Sequence, residues 1–276
     1  MYFSPAKINL FLHIVGRRPD GYHNLQTIFQ FLDFGDHMSF LVNTSGKVQR
    51  KYDYGFSEQV DLNLRAAQLL KDYVGDASLG VVIDLTKHIP MGGGLGGGSS
   101  NAATTLKALN DLWDLQLPAQ KLIELGASLG ADVPVFVFSR SAWGEGVGEK
   151  LTPIELPTPW YVVLYPPVQV TTAEIFSHNH LTHRPQMKKI RALQNDQLLQ
   201  VGFNDLEPVV RRLVKEVDHL INWMNCFGQA RMSGSGSCVF MPCESKADAR
   251  SVLDQKPTGV QGFIARGLNR IENNTM

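Results

Sequence analysis

Apolar and polar residues alternate at the start of the chain. One face of the pattern holds Ile8, Leu10, Leu12 and Ile14, and the other holds Lys7, Asn9, Phe11 and His13. A period of two residues is typical of a strand that buries one face, so Lys7 and Asn9 should point the same way. A turn signal at residues 18–21 and an apolar run at residues 25–34 follow. Together they predict a β-hairpin.

Later segments show the spacing of helices. Apolar residues three and four positions apart predict helices at residues 62–74, 101–113, 119–129, 186–201 and 206–225. Ser99 or Ser100 is the expected N-cap of the second of these, and Gly130 is the expected end of the third. Short apolar runs predict strands at residues 81–85, 133–138, 161–165 and 238–241.

Composition and length exclude some classes of protein and suggest the number of domains. The chain has 276 residues, and its 26 Lys and Arg balance its 26 Asp and Glu, which argues against nucleic-acid or polybasic membrane binding. No apolar run reaches the roughly 18 residues of a membrane span, so a cytoplasmic location is expected. The length suggests two domains. The Pro-rich residues 152–159 predict their boundary, giving residues 1–152 and 153–276.

Three cysteines, Cys226, Cys238 and Cys243, form an odd set without C-x-x-C spacing. Such a set favours buried, reduced thiols over disulfides.

The sharpest chemical signal is a glycine-rich segment, residues 90–100, called the glycine loop below. Six of the seven residues from Gly92 to Gly98 are glycine, and a predicted helix follows directly. Backbone N–H groups of such a loop, together with the positive end of the helix dipole, suit a phosphate group. A flexible linker or a tight turn is the alternative, but so many glycines cost backbone entropy without packing in return, and helix and strand signals flank both sides.

The glycine loop lacks one known phosphate-binding motif and contains another. The Walker pattern requires a lysine where Gly98 stands, so it fails. A G-x-G-x-x-G pattern is present at Gly92, Gly94 and Gly97, which keeps a dinucleotide-binding oxidoreductase open. That interpretation is weak, because Asp111 and Asp114 follow the helix with no strand between to place them at a ribose.

Other candidates are ambiguous from the residues alone. A lysine on an apolar strand, such as Lys7, is expected either on a solvated face or on the wall of a cleft. Asp132 lies in a loop, where it suits either catalysis or an Asx turn. The histidines of residues 178–183 form a weak metal-binding candidate. A second segment, residues 231–237, is called the Ser/Gly loop below; it predicts an anion contact or a tight turn.

These segments together resemble the GHMP kinases. The resemblance covers essentially the whole chain and is carried by residues 4–10, Asp20-Gly21-Tyr22-His23, the glycine loop, residues 129–134 and residues 233–237. It implies a two-domain α+β fold with the active site in the inter-domain cleft. It also implies transfer of the γ-phosphoryl group of ATP to a small alcohol, with Mg²⁺. The Asp-Gly-Tyr-His segment resembles the branch whose acceptor carries a cytidine diphosphate group.

The resemblance also assigns roles by position. Lys7 and Asp132 would be the catalytic pair, and Ser100 a magnesium ligand. The nucleotide would contact Lys87, Pro90, Met91, Gly92, Gly93, Gly94, Leu95, Gly96, Gly97, Gly98, Ser99 and Ser100. The acceptor would contact Asn9, Tyr22, His23, Phe29, Val147, Thr172 and Phe176.

One position departs from the family pattern. Asp61 stands where related chains place an asparagine before leucine, so a nucleobase contact expected there is either taken over by Asp61 or lost. Two rival functions also stay open besides the oxidoreductase: a GHMP kinase acting on another small alcohol, and a nucleotide-binding module without catalysis.

Overall fold

The computed structural model describes residues 1–178, 181 and 202–272. Its strands are β1 (Tyr2–Arg17), β2 (His23–Asn43), β3 (Val48–Arg50), β4 (Gly80–Thr86), β5 (Ala142–Gly146), β6 (Lys150–Pro153), β7 (Trp160–Tyr165), β8 (Arg231–Met232), β9 (Val239–Cys243) and β10 (Gln261–Leu268). Its α-helices are α1 (Leu62–Val74), α2 (Gly97–Leu112), α3 (Ala119–Leu129), α4 (Val133–Phe138), α5 (Thr172–Ser177), α6 (Glu207–Leu213), α7 (Lys215–Met224) and α8 (Lys246–Asp254).

The strands form one continuous sheet in the order β3-β4-β2-β10-β7-β9-β8, with β1 and β5 also paired to β2 and β6 paired to β5. All named pairs are antiparallel except β3 with β4, which are joined through α1. Strand β2 is long enough to pair with four others, and β10 links it to the strands of the C-terminal half. The predicted α+β class is confirmed.

The opening hairpin is confirmed, but the prediction that β1 is half buried is wrong. Lys7, Asn9 and His13 are as buried as the apolar face. The register of β1 on β2 shifts between Asn9 and Phe11, and a bulge of this kind reverses which face the following residues occupy. Phe11 therefore packs in the core with Ile8, while Leu12 reaches the cleft described below.

Helices α1 and α3 have the predicted bounds, and Gly130 ends α3 as expected. Helix α2 begins four residues earlier than predicted. Its N-cap is Gly96 and not Ser99 or Ser100. Gly96 has a φ of +71°, and a Cβ there would lie 2.9 Å from the Phe136 ring, so the backbone conformation and the close contact require glycine where a serine cap was expected.

The strand predicted at residues 133–138 is wrong, because these residues form helix α4. Five of its six residues are buried, and a short run buried on all sides has no periodicity that separates helix from strand. Pro134 in the first turn favours the helix. The helix predicted at residues 206–225 is two helices, α6 and α7, which meet at Val214 in extended conformation. The helix predicted at residues 186–201 lies outside the described residues.

Three groups of buried apolar residues form the core. One lies among α1 to α4 and the sheet of the N-terminal half, and one lies among α5 to α8 and the C-terminal strands. The third joins β1 and β2 to β7 and β9 and includes Ile8, Leu10, Tyr161 and Phe240. The two halves therefore share packed residues along β1, the strand that carries Lys7.

The cysteines follow the prediction only in part. All three are free thiols, but only Cys238 is buried, while Cys243 is half buried and Cys226 is exposed. Among the described residues, no helix combines the length and apolar character needed to span a bilayer.

Candidate active site

A cleft of about 1020 Å³ contains nearly all of the predicted site residues. Lys7 and Asn9 of β1, Asp132 before α4, and the glycine loop from Pro90 to Ser99 line it. The predicted acceptor residues line it as well, namely Tyr22, His23, Phe29, Val147, Thr172 and Phe176, and so does Lys87. Residues far apart in the chain are thus brought to one cavity.

Lys7 lies at the centre of the cleft and its side chain is almost fully buried. Its Nζ donates to Asn9 Oδ1 at 2.5 Å and to the Gly94 carbonyl at 3.1 Å, and it lies 3.2 Å from Asp132 Oδ2. An ammonium has three donors, so each has an oxygen within reach. The solvated-face alternative for Lys7 is wrong, and the cleft-wall alternative is confirmed.

Asp132 occupies the N-cap position of α4, but its side chain makes no capping hydrogen bond. About a third of the side chain is exposed, in the cleft. Val133 N donates to the Gly130 carbonyl at 3.1 Å, which fixes the turn that carries it. The Asx-turn alternative therefore does not account for Asp132, because its carboxylate faces the Lys7 ammonium instead of the backbone.

The glycine loop runs directly against the Ser/Gly loop. Gly94 has a φ of +74°, and a Cβ there would lie 2.1 Å from the Ser233 carbonyl oxygen. Ser233 Oγ donates to the Gly94 carbonyl at 2.9 Å and accepts from Asn9 N at 3.2 Å. Cys238 N donates to the Gly93 carbonyl at 3.1 Å. The flexible-linker alternative for the glycine loop is therefore wrong.

The Ser/Gly loop, predicted to be an anion contact or a tight turn, lines the cleft and also contacts the glycine loop. Gly234 and Ser235 line the cleft, while Ser233 and Cys238 donate hydrogen bonds to carbonyl groups of the glycine loop. Burial raises the pKa of the Cys238 thiol, and the nearby Lys7 charge opposes this only in part. The thiol is therefore protonated at neutral pH and acts as packing.

Aromatic side chains gather at the end of the cleft nearest the opening hairpin. The rings of His23 and Phe176 lie 5.7 Å apart at 30°, and Tyr22 is exposed beside them. Thr172 Oγ1 lies 2.8 Å from Ser235 Oγ, which ties α5 to the Ser/Gly loop. A flat ring between such side chains would be held by stacking, with polar groups at its edge.

Asp61, the position that departs from the family pattern, has a structural role. Asp61 is buried, and its Oδ1 accepts from Asn63 N at 2.9 Å as the N-cap of α1. Burial raises the pKa of this carboxyl, and the N–H donors of the helix partly offset the rise. Asn63 also lines the cleft, and its buried Oδ1 has no hydrogen-bond partner in the described structure. No motif in the sequence points to Asn63.

Ser100 does not fit its predicted role as a metal ligand. It is fully buried, its Oγ lies 2.9 Å from Ser4 Oγ, and it does not line the cleft, whereas Ser99 does. In the part of the chain that the structure describes, no three His, Cys, Asp or Glu residues form a metal-binding group. Two histidines of the candidate metal segment, His180 and His183, lie outside the described residues.

Three polar residues that contact the glycine loop or its flanks had no individual role predicted from the sequence. Asp36, Asn101 and Ser233 are buried and connect β2, α2 and the Ser/Gly loop to the glycine loop. Ser233 begins a segment that had been singled out as a glycine- and serine-rich motif. Asp36 had no such signal, because it lies just beyond the apolar run predicted at residues 25–34.

Comparison with known proteins gives a consistent picture. The family model "GHMP kinases N terminal domain" matches residues 61–140, and "GHMP kinases C terminal" matches residues 182–256. Curated relatives named 4-diphosphocytidyl-2-C-methyl-D-erythritol kinase include those of Alkalilimnicola ehrlichii and Thiobacillus denitrificans. Each is 51% identical, over 96% and 97% of this chain and 90% and 95% of the relative.

Solved structures that resemble this chain are also kinases. A crystal structure of 4-(cytidine 5'-diphospho)-2C-methyl-D-erythritol kinase is 33% identical with a TM-score of 0.83, covering 97% of this chain and 99% of that one. A mevalonate kinase from L. major in complex with R-mevalonate has a TM-score of 0.70 at 16% identity, with 97% of this chain and 95% of that one covered. The second likeness is one of fold alone.

Proposed function

Because this chain belongs to the GHMP kinase family, and within it to the 4-diphosphocytidyl-2-C-methyl-D-erythritol kinases, we propose that Lys7 and Asp132 catalyse its phosphoryl transfer. The reaction moves the γ-phosphoryl group of ATP to the 2-hydroxyl of 4-diphosphocytidyl-2-C-methyl-D-erythritol, on the non-mevalonate route to isoprenoid precursors. The observation that carries the proposal is the Lys7–Asp132 ion pair, which lines the same cleft as a glycine-rich helix N-terminus and a group of aromatic side chains. The oxidoreductase interpretation is wrong, because the whole chain matches kinases.

In the proposed step, Asp132 orients the 2-hydroxyl of the acceptor. The oxygen of this hydroxyl attacks the γ-phosphorus. The bond from that phosphorus to the bridging oxygen breaks, and ADP leaves with the electron pair. The hydroxyl proton passes to Asp132 after bonding to phosphorus has begun, since the transition state of such transfers is loose. Lys7 stabilises the charge on the transferring group, and its contacts to Asn9 and Gly94 hold it in place beforehand.

The glycine loop and the first turn of α2 are proposed to bind the ATP phosphates. Gly94 and Gly96 have left-handed backbone conformations, and the helix starts at Gly97 facing the cleft. The N–H groups of a first helical turn have no partner within the helix, and the helix dipole adds positive potential there. No side chain between Gly96 and Gly98 obstructs the approach of a phosphate.

The aromatic end is proposed to bind the cytidine group of the acceptor. Tyr22 and Phe176 would stack on the base and His23 would hydrogen-bond its edge, with Thr172, Val147 and Phe29 lining the path to Lys7. Asn9 would lie near the methylerythritol, because its amide donates to Thr27 Oγ1 at 2.9 Å and its oxygen accepts from Lys7. This arrangement favours a long acceptor over a small one such as homoserine or mevalonate.

Magnesium is proposed to enter with the nucleotide. Bound Mg²⁺ neutralises charge that develops on the β- and γ-phosphate oxygens. At the start of α2, the hydroxyl oxygen of Ser99 lines the cleft and suits this ion, so Ser99 replaces Ser100 in the proposal. Water and phosphate would complete the shell, as is usual for Mg²⁺.

The domain division at residues 152 and 153 and the cytoplasmic location stay predictions. Separate expression of residues 1–152 and 153–276 would test the first, and fractionation of cells would test the second.

The function is tested by offering purified protein Mg-ATP with one of three acceptors. The proposal expects a new phosphomonoester ³¹P signal with 4-diphosphocytidyl-2-C-methyl-D-erythritol and none with mevalonate or homoserine. A signal with either small alcohol would instead support the rival GHMP kinase function. Nucleotide binding without transfer to any acceptor would support the binding module.

A further inference from the structure

Asp36 is a fully buried carboxylate on β2 that accepts four hydrogen bonds. Its Oδ1 accepts from His88 N at 2.7 Å and Ile89 N at 2.8 Å. Its Oδ2 accepts from Asn101 Nδ2 at 2.9 Å and from the Lys87 ammonium. A carboxylate offers about four lone-pair sites. Protein donors use all four sites, so Asp36 has no lone pair left to bind a metal ion.

The four donors lie at the two ends of the glycine loop. Lys87, His88 and Ile89 come directly before it, and Asn101 follows it in α2. Ser4 Oγ, 2.7 Å from Asn101 Oδ1, holds the same amide from the other side. One side chain therefore joins the entry and exit of a segment that contains six glycines. Such a segment has high conformational entropy when it is not held.

Asp36 also fixes the position of Lys87. The Lys87 ammonium lies over the start of α2, where a Cβ on Gly97 would approach its Nζ to 3.0 Å. The side chain of Lys87 is about one quarter exposed and lines the cleft. Without the buried carboxylate this long side chain would be free to turn into solvent.

We infer that Asp36 is a positioning residue that holds the glycine loop and the Lys87 ammonium in the geometry that binds the nucleotide phosphates. This inference rests on the proposed function for the identity of the nucleotide. Asp36 does not line the cleft itself, so it acts through the loop and Lys87. Its removal should therefore affect the nucleotide and not the acceptor.

The test is Asp36→Asn, which keeps the shape and removes the charge. In either orientation, the NH₂ group of the new amide faces other donors, which are the backbone N–H groups of His88 and Ile89 or the Lys87 ammonium and the Asn101 amide. The affinity for Mg-ADP, titrated by calorimetry on the folded variant, should fall by about 10- to 100-fold. The KM for the cytidyl acceptor should stay within about 2-fold of that of the unaltered protein.

The matched control is Asp84→Asn. Asp84 also lies in the sheet and pairs with a lysine, Lys51, at 2.9 Å, but it does not touch the glycine loop. This variant should bind Mg-ADP as the unaltered protein does. A carboxylate that only stabilised the fold would lower the melting temperature of Asp36→Asn while leaving its affinity for Mg-ADP unchanged, and that result would overturn the inference.

If Asp36→Asn does not fold, Asn101→Ala carries the test. It removes the contact of Asp36 with the exit of the loop and leaves the three donors at the entry in place. The affinity for Mg-ADP should therefore fall by about 3- to 10-fold, and an unchanged affinity would overturn the inference. The titration needs no acceptor. Mg-ADP binding that depends on Asp36, in a protein without acceptor-dependent turnover, would refute the proposed function while supporting this inference.

Discussion

At the scale of single residues, the central feature is a buried lysine with three oxygen partners. Lys7 is fixed by Asn9 and Gly94, while its third partner, Asp132, is partly open to the cleft. An electrostatic stabiliser is most effective when it is held before the reaction begins. We therefore propose different roles for the two charges, with Lys7 stabilising the transferring group and Asp132 orienting the acceptor.

The first prediction concerns Asp132→Asn. The amide cannot accept the hydroxyl proton, so kcat should fall by about 10³-fold or more. The dissociation constant for Mg-ATP should change by less than about 3-fold, because Asp132 acts on the acceptor. Initial rates of ADP release and a nucleotide titration measure the two quantities. A variant with near-normal turnover would contradict the role of Asp132.

The second prediction concerns Phe176→Ala. Stacking on a base contributes about 1 to 3 kcal/mol, so the KM for the cytidyl acceptor should rise by about 10- to 100-fold while the KM for ATP stays unchanged. Phe227→Ala is the control, since Phe227 is also a partly exposed aromatic residue but packs on Trp223 outside the cleft. Equal effects of both substitutions on the acceptor would argue against a cytidine pocket at Phe176.

Residue roles were predictable where a motif carried them and not elsewhere. Lys7 and Asp132 have ambiguous surroundings in the sequence, and only the resemblance to a family assigned them to catalysis. Asp36 belongs to no motif that the sequence made visible. Its importance comes from four donors that folding brings to it from residues 87–101, and such convergence is a property of tertiary structure.

At the scale of elements, the glycine loop is shaped by contacts that exclude a Cβ. The third prediction is that Gly94→Ala displaces the loop from Ser233, because the new Cβ would lie 2.1 Å from a carbonyl oxygen. Misplacement by about 1 Å can reduce turnover by about 100-fold, and kcat/KM for ATP should fall by that order.

The matched control for this prediction is Gly75→Ala. Gly75 has a similar φ of +77°, but nothing lies within 4 Å of its Cβ position. This variant bears the same backbone strain of about 1 to 2 kcal/mol, so it should lose stability and keep its activity. Similar kinetics for the two variants would show that close contact at Gly94 is unimportant.

The fourth prediction concerns Lys107 in α2. Burial lowers the pKa of its ammonium to about 8 from an ordinary value of 10.5, and Asp111 opposes this only in part. Below pH 8 both folded and unfolded states hold the proton, so the buried charge destabilises the fold fully. Between about pH 8 and 10.5 the folded state has released the proton that the unfolded state still holds, so this penalty fades as pH rises.

Lys107→Met removes the buried charge. The free energy of unfolding of this variant relative to the unaltered protein should therefore be highest below pH 8 and should decline towards pH 10.5. Urea unfolding at pH 7 and pH 10 measures the difference. The lost hydrogen bond to Ser139, 2.7 Å long, adds an offset, and a difference that did not vary with pH would contradict the depressed pKa.

Element boundaries were predictable where local signals agreed. Helix α1 combines a capping aspartate, a regular apolar stripe and a left-handed glycine at its end, and its bounds were correct. Helix α4 has an apolar run without periodicity, so its type could not be read. The start of α2 was misplaced because the cap is a glycine required by the neighbouring Phe136 ring, which only the folded chain supplies.

At the scale of the whole molecule, one strand makes the site possible. β1 packs between the two halves, and its bulge after Asn9 turns Phe11 into the core and Leu12 to the cleft. Strict alternation from the sequence could not anticipate this reversal. The α+β class and the opening hairpin could be predicted, while the sheet order, with β10 returning to β2, depends on pairings far apart in the chain.

The most direct test of the account is ADP release from Mg-ATP by the purified protein, with and without 4-diphosphocytidyl-2-C-methyl-D-erythritol. One cleft that holds phosphates at the glycine loop, a base at Phe176 and the reacting groups at Lys7 and Asp132 predicts rapid release only when the acceptor is present. Equal release in both conditions, or none in either, would contradict the claim that this cleft joins the two substrates.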